Sequence, residues 1–294
     1  MDRTGSRPHS ASPKPVTSPL QSSLSGFALL VTLGSLAGCA STGDSLPSGQ
    51  GGAVVHAAMQ VKPAAFRAAP SSSPRDAALR SPLYRTSRIA KMKCEMPRLE
   101  DGNWGSMRRY MQTVSGCLDR VWAKQFAKMH KSYKAPKRYF LKARINVAAC
   151  GGTMPQAGAY GTYCPDNKTY YVLAESRTWA SRNGMWAAHL VAHEHGHYIQ
   201  DLAGILDYAD ELQANAATED ESVLAENRSE DQAGCFAAAA LQATRDTLPS
   251  WSKFMAMYKR EKDLKAYGAW LDRGFSSGRP GSCNTWTAPS KNIG

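Results

Sequence analysis

Between Trp104 and Met129, apolar residues fall at positions 104, 107, 111, 114, 118, 121, 122, 126 and 129, a helical spacing with one buried stripe. The rhythm then changes. Ala143–Ala149 largely alternates apolar and polar residues, and Lys168–Leu173 is rich in β-formers, so each predicts a strand. The stretch between them carries four Gly and two Cys and ends on the turn sequence Pro165-Asp166-Asn167-Lys168. The two strands are expected to pair as a β-hairpin. Helical patterning returns over Asn183–Leu202, Ser222–Ala243 and Trp251–Leu271, the last as one helix or a pair. The pattern predicts an α+β fold that is mainly helical, with a small β-hairpin or sheet beside the 183–202 helix. There is no internal repeat.

The first residues follow none of these patterns. Met1–Gly26 is polar, with Arg3, Arg7 and Lys14, and Phe27–Leu36 is an apolar run too short to span a bilayer as a helix. That order reads as a secretory leader. It ends in Leu36-Ala37-Gly38-Cys39, which resembles a bacterial lipobox, so Cys39 is expected to carry the lipid. Residues 40–90, Ser-, Gly-, Ala- and Pro-rich at least to Leu79, are read as a tether to a folded domain over 91–294. An exported protein facing the extracytoplasmic side, held at the cell membrane or outer membrane by its lipid, is the expected location.

Cysteine usage agrees with export. Setting Cys39 aside leaves six, and disulfides persist outside the cytoplasm. Loop lengths favour Cys94–Cys117, Cys150–Cys164 and Cys235–Cys283 among the 15 possible connectivities. A zinc–thiolate cluster is disfavoured because no Cys-x-x-Cys pair occurs.

The net charge of +12 is unevenly spread. Residues 62–144 hold 20 Lys/Arg against 5 Asp/Glu, whereas residues 183–246 hold 2 against 12. The basic half reads as a solvated face, and no nucleic-acid motif accompanies it, so no nucleic-acid partner is expected.

The acidic half contains the chemistry. His193 and His197 are four apart in a helical pattern, so their imidazoles project from one face, one turn apart. That spacing suits one tetrahedral Zn²⁺, with Glu194 beside it as general base toward a zinc-activated water. His195 points elsewhere and reads as a non-ligand. His189 shares the face of His193 and reads as packed. A third ligand must come from another segment, because the position that a longer histidine motif would use is Ala203. The downstream helix offers Glu230 first and Glu226, one turn earlier, in reserve. Tyr160, Tyr163, Tyr198 and His189 are the candidates for transition-state donors.

Four ordered motifs add to this: Ala149-Cys150-Gly151, Tyr163-Cys164-Pro165, Ala192-His193-Glu194-His195-Gly196-His197 with Gln200, and Glu230-Asp231-Gln232-Ala233-Gly234-Cys235-Phe236-Ala237. In these the chain resembles the neutral zinc metallopeptidase family of bacteria, over roughly Cys94–Ala243. The resemblance implies a zincin-like fold, one zinc per chain, the third-ligand role for Glu230, and a peptide or protein substrate. One position departs from the family pattern: Gly234 stands where the family carries an Asp. Losing an Asp that orients a zinc-binding His costs about 10–100-fold in affinity or activity. The alternative function is therefore a catalytically weak, zinc-binding envelope lipoprotein.

Overall fold

A computed structural model describes residues 73–157, 159–175 and 183–294. The leader, Cys39 and the first part of the tether lie outside the described residues. Seven α-helices are described: α1 (Pro74–Arg80), α2 (Trp104–Ala127), α3 (Gly184–Leu202), α4 (Leu206–Ala214), α5 (Glu219–Ala243), α6 (Trp251–Arg260) and α7 (Lys265–Ser277). Five short strands accompany them: β1 (Lys137–Leu141), β2 (Ile145–Val147), β3 (Gly152–Met154), β4 (Gly161–Cys164) and β5 (Thr169–Leu173). The fold is α+β and mainly helical.

Local chemistry sets the helix starts. Asn103, Asn183 and Thr218 cap α2, α3 and α5, each side-chain oxygen accepting a backbone N–H three residues on. Glu219, Asp220 and Glu221 in the first turn of α5 favour the positive end of its dipole.

Helix α5 is the axis of the core. Every residue from Asp231 to Ala243 is buried, and the run Ala237-Ala238-Ala239-Ala240 lets neighbouring helices come close. Helix α3 crosses it at Gly196, where an added Cβ would sit 2.6 Å from the Ala233 carbonyl oxygen. That contact holds the histidine-bearing turns of α3 against the turn of α5 that carries Glu230. Around the axis pack Trp122 and Phe126 from α2, Tyr170 and Val172 from β5, and Trp270 and Leu271 from α7.

The strands pair differently from the expected hairpin. The sheet order is β1-β5-β4, with β1 parallel to β5 and β4 antiparallel to it. Strand β2 pairs with β3 instead, antiparallel, in a separate two-stranded ribbon. The reason is local. After β2 the chain reverses through a 3-10 turn at Ala148–Cys150 and Gly151 at φ +76°, so its nearest partner is the segment immediately following. The Pro165–Lys168 turn joins β4, not the 143–149 segment, to β5. Strand β1 has one buried residue, Phe140, and its pattern was too weakly apolar to be read as a strand.

Ordered structure also starts before residue 91. Within the stretch read as tether, Ser73 caps α1 with Pro74 in its first turn, and Ala78 packs with Ile205, Ala209 and Trp286. The Ser/Pro composition that suggests a linker is here a helix start. Three cysteine pairs are joined: Cys94–Cys117, Cys150–Cys164 and Cys235–Cys283.

Candidate metal centre

The crossing of α3 and α5 brings three donors together. His193 Nε2 lies 3.1 Å from His197 Nε2 and 3.0 Å from Glu230 Oε2, and His197 Nε2 lies 3.3 Å from Glu230 Oε1. Two ligands about 2.05 Å from a tetrahedral Zn²⁺ are about 3.3 Å apart, so this triangle has the size of a zinc site. Among the described residues this is the one group of three or more His, Cys, Asp and Glu side chains with converging ligand atoms. The imidazoles are nearly enclosed, with 11% and 12% of their side chains exposed, while Glu230 keeps 44% and opens the cluster to solvent. Glu226 is not in the group, although it is near enough to Glu230 for the two charges to repel.

The protonation states carry the same message. Burial pushes the His197 pKa down, but the Glu230 carboxylate outweighs it and raises it to about 9. Burial would raise Glu230, yet the charge on His197 and hydrogen bonds from His193 and His197 hold it well below the usual carboxylate range. Without a cation the cluster thus holds a proton between His197 and Glu230. A divalent cation bound here would take the place of that proton, so its binding would release a proton and weaken with falling pH.

Each histidine of the cluster is held from behind. His197 Nδ1 is 2.9 Å from Gln200 Oε1. The amide orientation is fixed, because Gln200 Nε2 donates to the Ser229 carbonyl at 2.9 Å and to Gln232 Oε1 at 3.1 Å. Gln232 in turn donates to Tyr84 Oη and the Cys283 carbonyl and accepts from Trp286 Nε1. A neutral His197 thereby keeps its hydrogen on Nδ1 and turns the lone pair of Nε2 into the cluster. His193 Nδ1 is 3.0 Å from Tyr267 Oη, a contact from α7 that no motif announced.

Glu194 is buried at 4% exposure and pressed against β4. Its carboxylate occupies the space a Cβ on Gly161 would need. Burial raises its pKa above the ordinary value and Glu230 adds to this, while His193, His197 and the backbone N–H of Tyr163 oppose it. The N–H of Tyr163 fixes where the carboxylate points.

The remaining expected residues take structural places. His195 faces away from the cluster, with Nε2 2.8 Å from Tyr133 Oη and 4.0 Å from Asp119, and burial lowers its pKa to about 4. Asp119 also binds Arg138 at 2.6 Å, so a small ionic cluster ties α2, β1 and α3 together. Tyr163 Oη donates to Asp201 and Tyr198 Oη to the Lys134 carbonyl, which engages both hydroxyls away from the donors. Tyr160 stacks edge-on against Trp186. His189 Nε2 meets Tyr267 Oη at 3.1 Å.

The class of the protein follows from comparison with known families. The family described as "Putative neutral zinc metallopeptidase" matches residues 87–249, and the chain belongs to it. All of the donors and Glu194 fall inside that stretch. Among curated proteins, the chain is 27% identical over 208 residues to "Uncharacterized protein YpfJ" of Escherichia coli K12, covering 60% of this chain and 71% of that protein. The protein of the same name from Escherichia coli O6:H1 matches to the same extent. No solved structure matches.

Proposed function

We propose that this protein is an exported, lipid-anchored zinc peptidase that hydrolyses peptide bonds in peptides or proteins outside the cytoplasm. The observation that carries the reading is the convergence of His193 Nε2, His197 Nε2 and Glu230 within a zinc-sized triangle, with buried Glu194 one residue from the first donor. These three residues would hold one zinc per chain. Bound zinc supplies Lewis acidity to a peptide carbonyl and acidifies water.

The chain's own residues do the rest. Glu194 accepts a proton from the attacking water at its carboxylate and passes it to the leaving amine. The Tyr163 N–H keeps that carboxylate oriented. Strand β4 is an edge strand beside Glu194, so an extended peptide can add to it through backbone hydrogen bonds. Three disulfides fit an oxidising compartment, and the Cys39 lipobox supplies the anchor. Among the described residues no helix is long and apolar enough to cross a membrane. The domain plan is a leader over 1–39, a tether, and the peptidase domain.

The test is hydrolysis of an unfolded protein substrate followed by mass spectrometry. Cleavage that a chelator stops and stoichiometric zinc restores is the expected result. Cleavage indifferent to the chelator, or absent from fully loaded protein over a broad peptide library, overturns the peptidase reading.

A further inference from the structure

We infer that Tyr267 is the positioning residue for His193, standing in the space that Gly234 leaves open and setting the imidazole tautomer that the metal requires. The inference rests on the reading of His193, His197 and Glu230 as metal ligands.

The argument begins with a count of hydrogens. Tyr267 Oη lies 3.0 Å from His193 Nδ1 and 3.1 Å from His189 Nε2, and it has a single hydrogen to give. If it donates to His193 Nδ1, a neutral His193 carries its hydrogen on Nε2, pointing at Glu230 and His197, and has no lone pair for a metal. If it donates to His189 Nε2, it accepts from His193 Nδ1–H, and the His193 Nε2 lone pair faces the cluster. Only the second arrangement loads. Loading therefore requires His189, buried among Phe254, Tyr258 and Tyr267, to accept at Nε2 and carry its own hydrogen on Nδ1, which has no partner among the described residues. Its one hydrogen bond is therefore the one to Tyr267. The three groups form a directed chain, His193 Nδ1–H to Tyr267 Oη–H to His189 Nε2.

Gly234 is the other half of the device. A Cβ added there would sit 2.8 Å from Tyr267 Oη and 2.7 Å from its ring. A side chain at 234 and the phenol of Tyr267 exclude each other. The two positions lie on different helices, α5 and α7, and Tyr267 is outside residues 87–249, the part of the chain that matches the family. The absence of an acidic side chain at 234 thus does not leave His193 without a partner; the partner comes from α7.

The test is zinc affinity of the full chain, by competition with a chromophoric chelator, together with the visible spectrum of the Co²⁺-substituted protein. Tyr267→Phe keeps the ring and removes the oxygen. It is expected to bind zinc about 10–100-fold more weakly and to shift the Co²⁺ bands. Tyr267→Ala is expected to be at least as weak, and adding Gly234→Asp to it should recover affinity to within a few-fold of wild type. Gly234→Asp alone should lower stability, because it collides with the phenol. Zinc bound by Tyr267→Phe as tightly as by wild type, with an unchanged Co²⁺ spectrum, overturns the assignment and leaves the metal site standing. Wild type that binds neither ion overturns the site itself. Should Tyr267→Phe lose its fold, the alanine pair decides: rescue by Asp supports the exchange, and no rescue overturns it.

Discussion

Glu194→Gln lowers kcat for peptide hydrolysis by about 10²–10⁴-fold and leaves the zinc in place. Glutamine has the size of glutamate, so the tight fit against Gly161 and the hydrogen bond from the Tyr163 N–H both survive. What disappears is a basic oxygen that can take a proton. Because the carboxylate acts as a base only when ionised, the wild-type profile should show an acid limb, set by burial, which raises the Glu194 pKa, against the charge of the bound cation, which lowers it. Activity falls as the pH drops through that limb, and Glu194→Gln should remove the limb together with most of the rate. Turnover measured at equal zinc content is the check. A variant that keeps wild-type turnover rules out Glu194 as the base.

Replacing Cys235 and Cys283 together with Ala destabilises the fold by about 4 kcal/mol from loop entropy alone, for a bridge that closes 48 residues of chain. The loop it closes carries α6 and α7, and therefore Tyr267. The Cys283 carbonyl also accepts from Gln232, which holds Gln200 behind His197. The bridge thus touches the supports of both histidines of the cluster. A drop in melting temperature of about 10 °C, and a matching drop in denaturant midpoint, should accompany weaker zinc binding. Cys150–Cys164, with a separation of 14, should matter less for stability, at about 3 kcal/mol. An unchanged midpoint in the Cys235/Cys283 variant contradicts the role given to the bridge.

What could be read from sequence follows the range of the interactions. The helices and the His193/His197 pair are local patterns, and α2, α3 and α5 begin and end within a few residues of their expected bounds. Glu230 was legible because the motif around it is compact, and the structure brings it within 3.0 Å of His193 from 37 residues away. The sheet was not legible in its pairing. Strand β1 is short and mostly exposed, and its parallel partner β5 lies beyond two turns and a separate ribbon. Tyr267 was invisible for another reason: its contact with His193 spans 74 residues and carries no spacing rule. Gly234, read alone, suggested a lost partner for the histidine. Its meaning depends on a residue that only tertiary packing brings to the same place. The N-cap of α1, Ser73, likewise has linker composition, and only the packing of Ala78 against Ile205 and Trp286 marks the helix as part of the domain.

The central claim is that His193, His197 and Glu230 hold one zinc. Elemental analysis of the protein lacking residues 1–39, for wild type and Glu230→Ala, tests it most directly. The account predicts about one zinc per wild-type chain and close to none in the variant, because removing the carboxylate takes both a ligand and the charge that balances the cation. Wild type that stays free of zinc after reconstitution, or Glu230→Ala that retains a full equivalent, contradicts it.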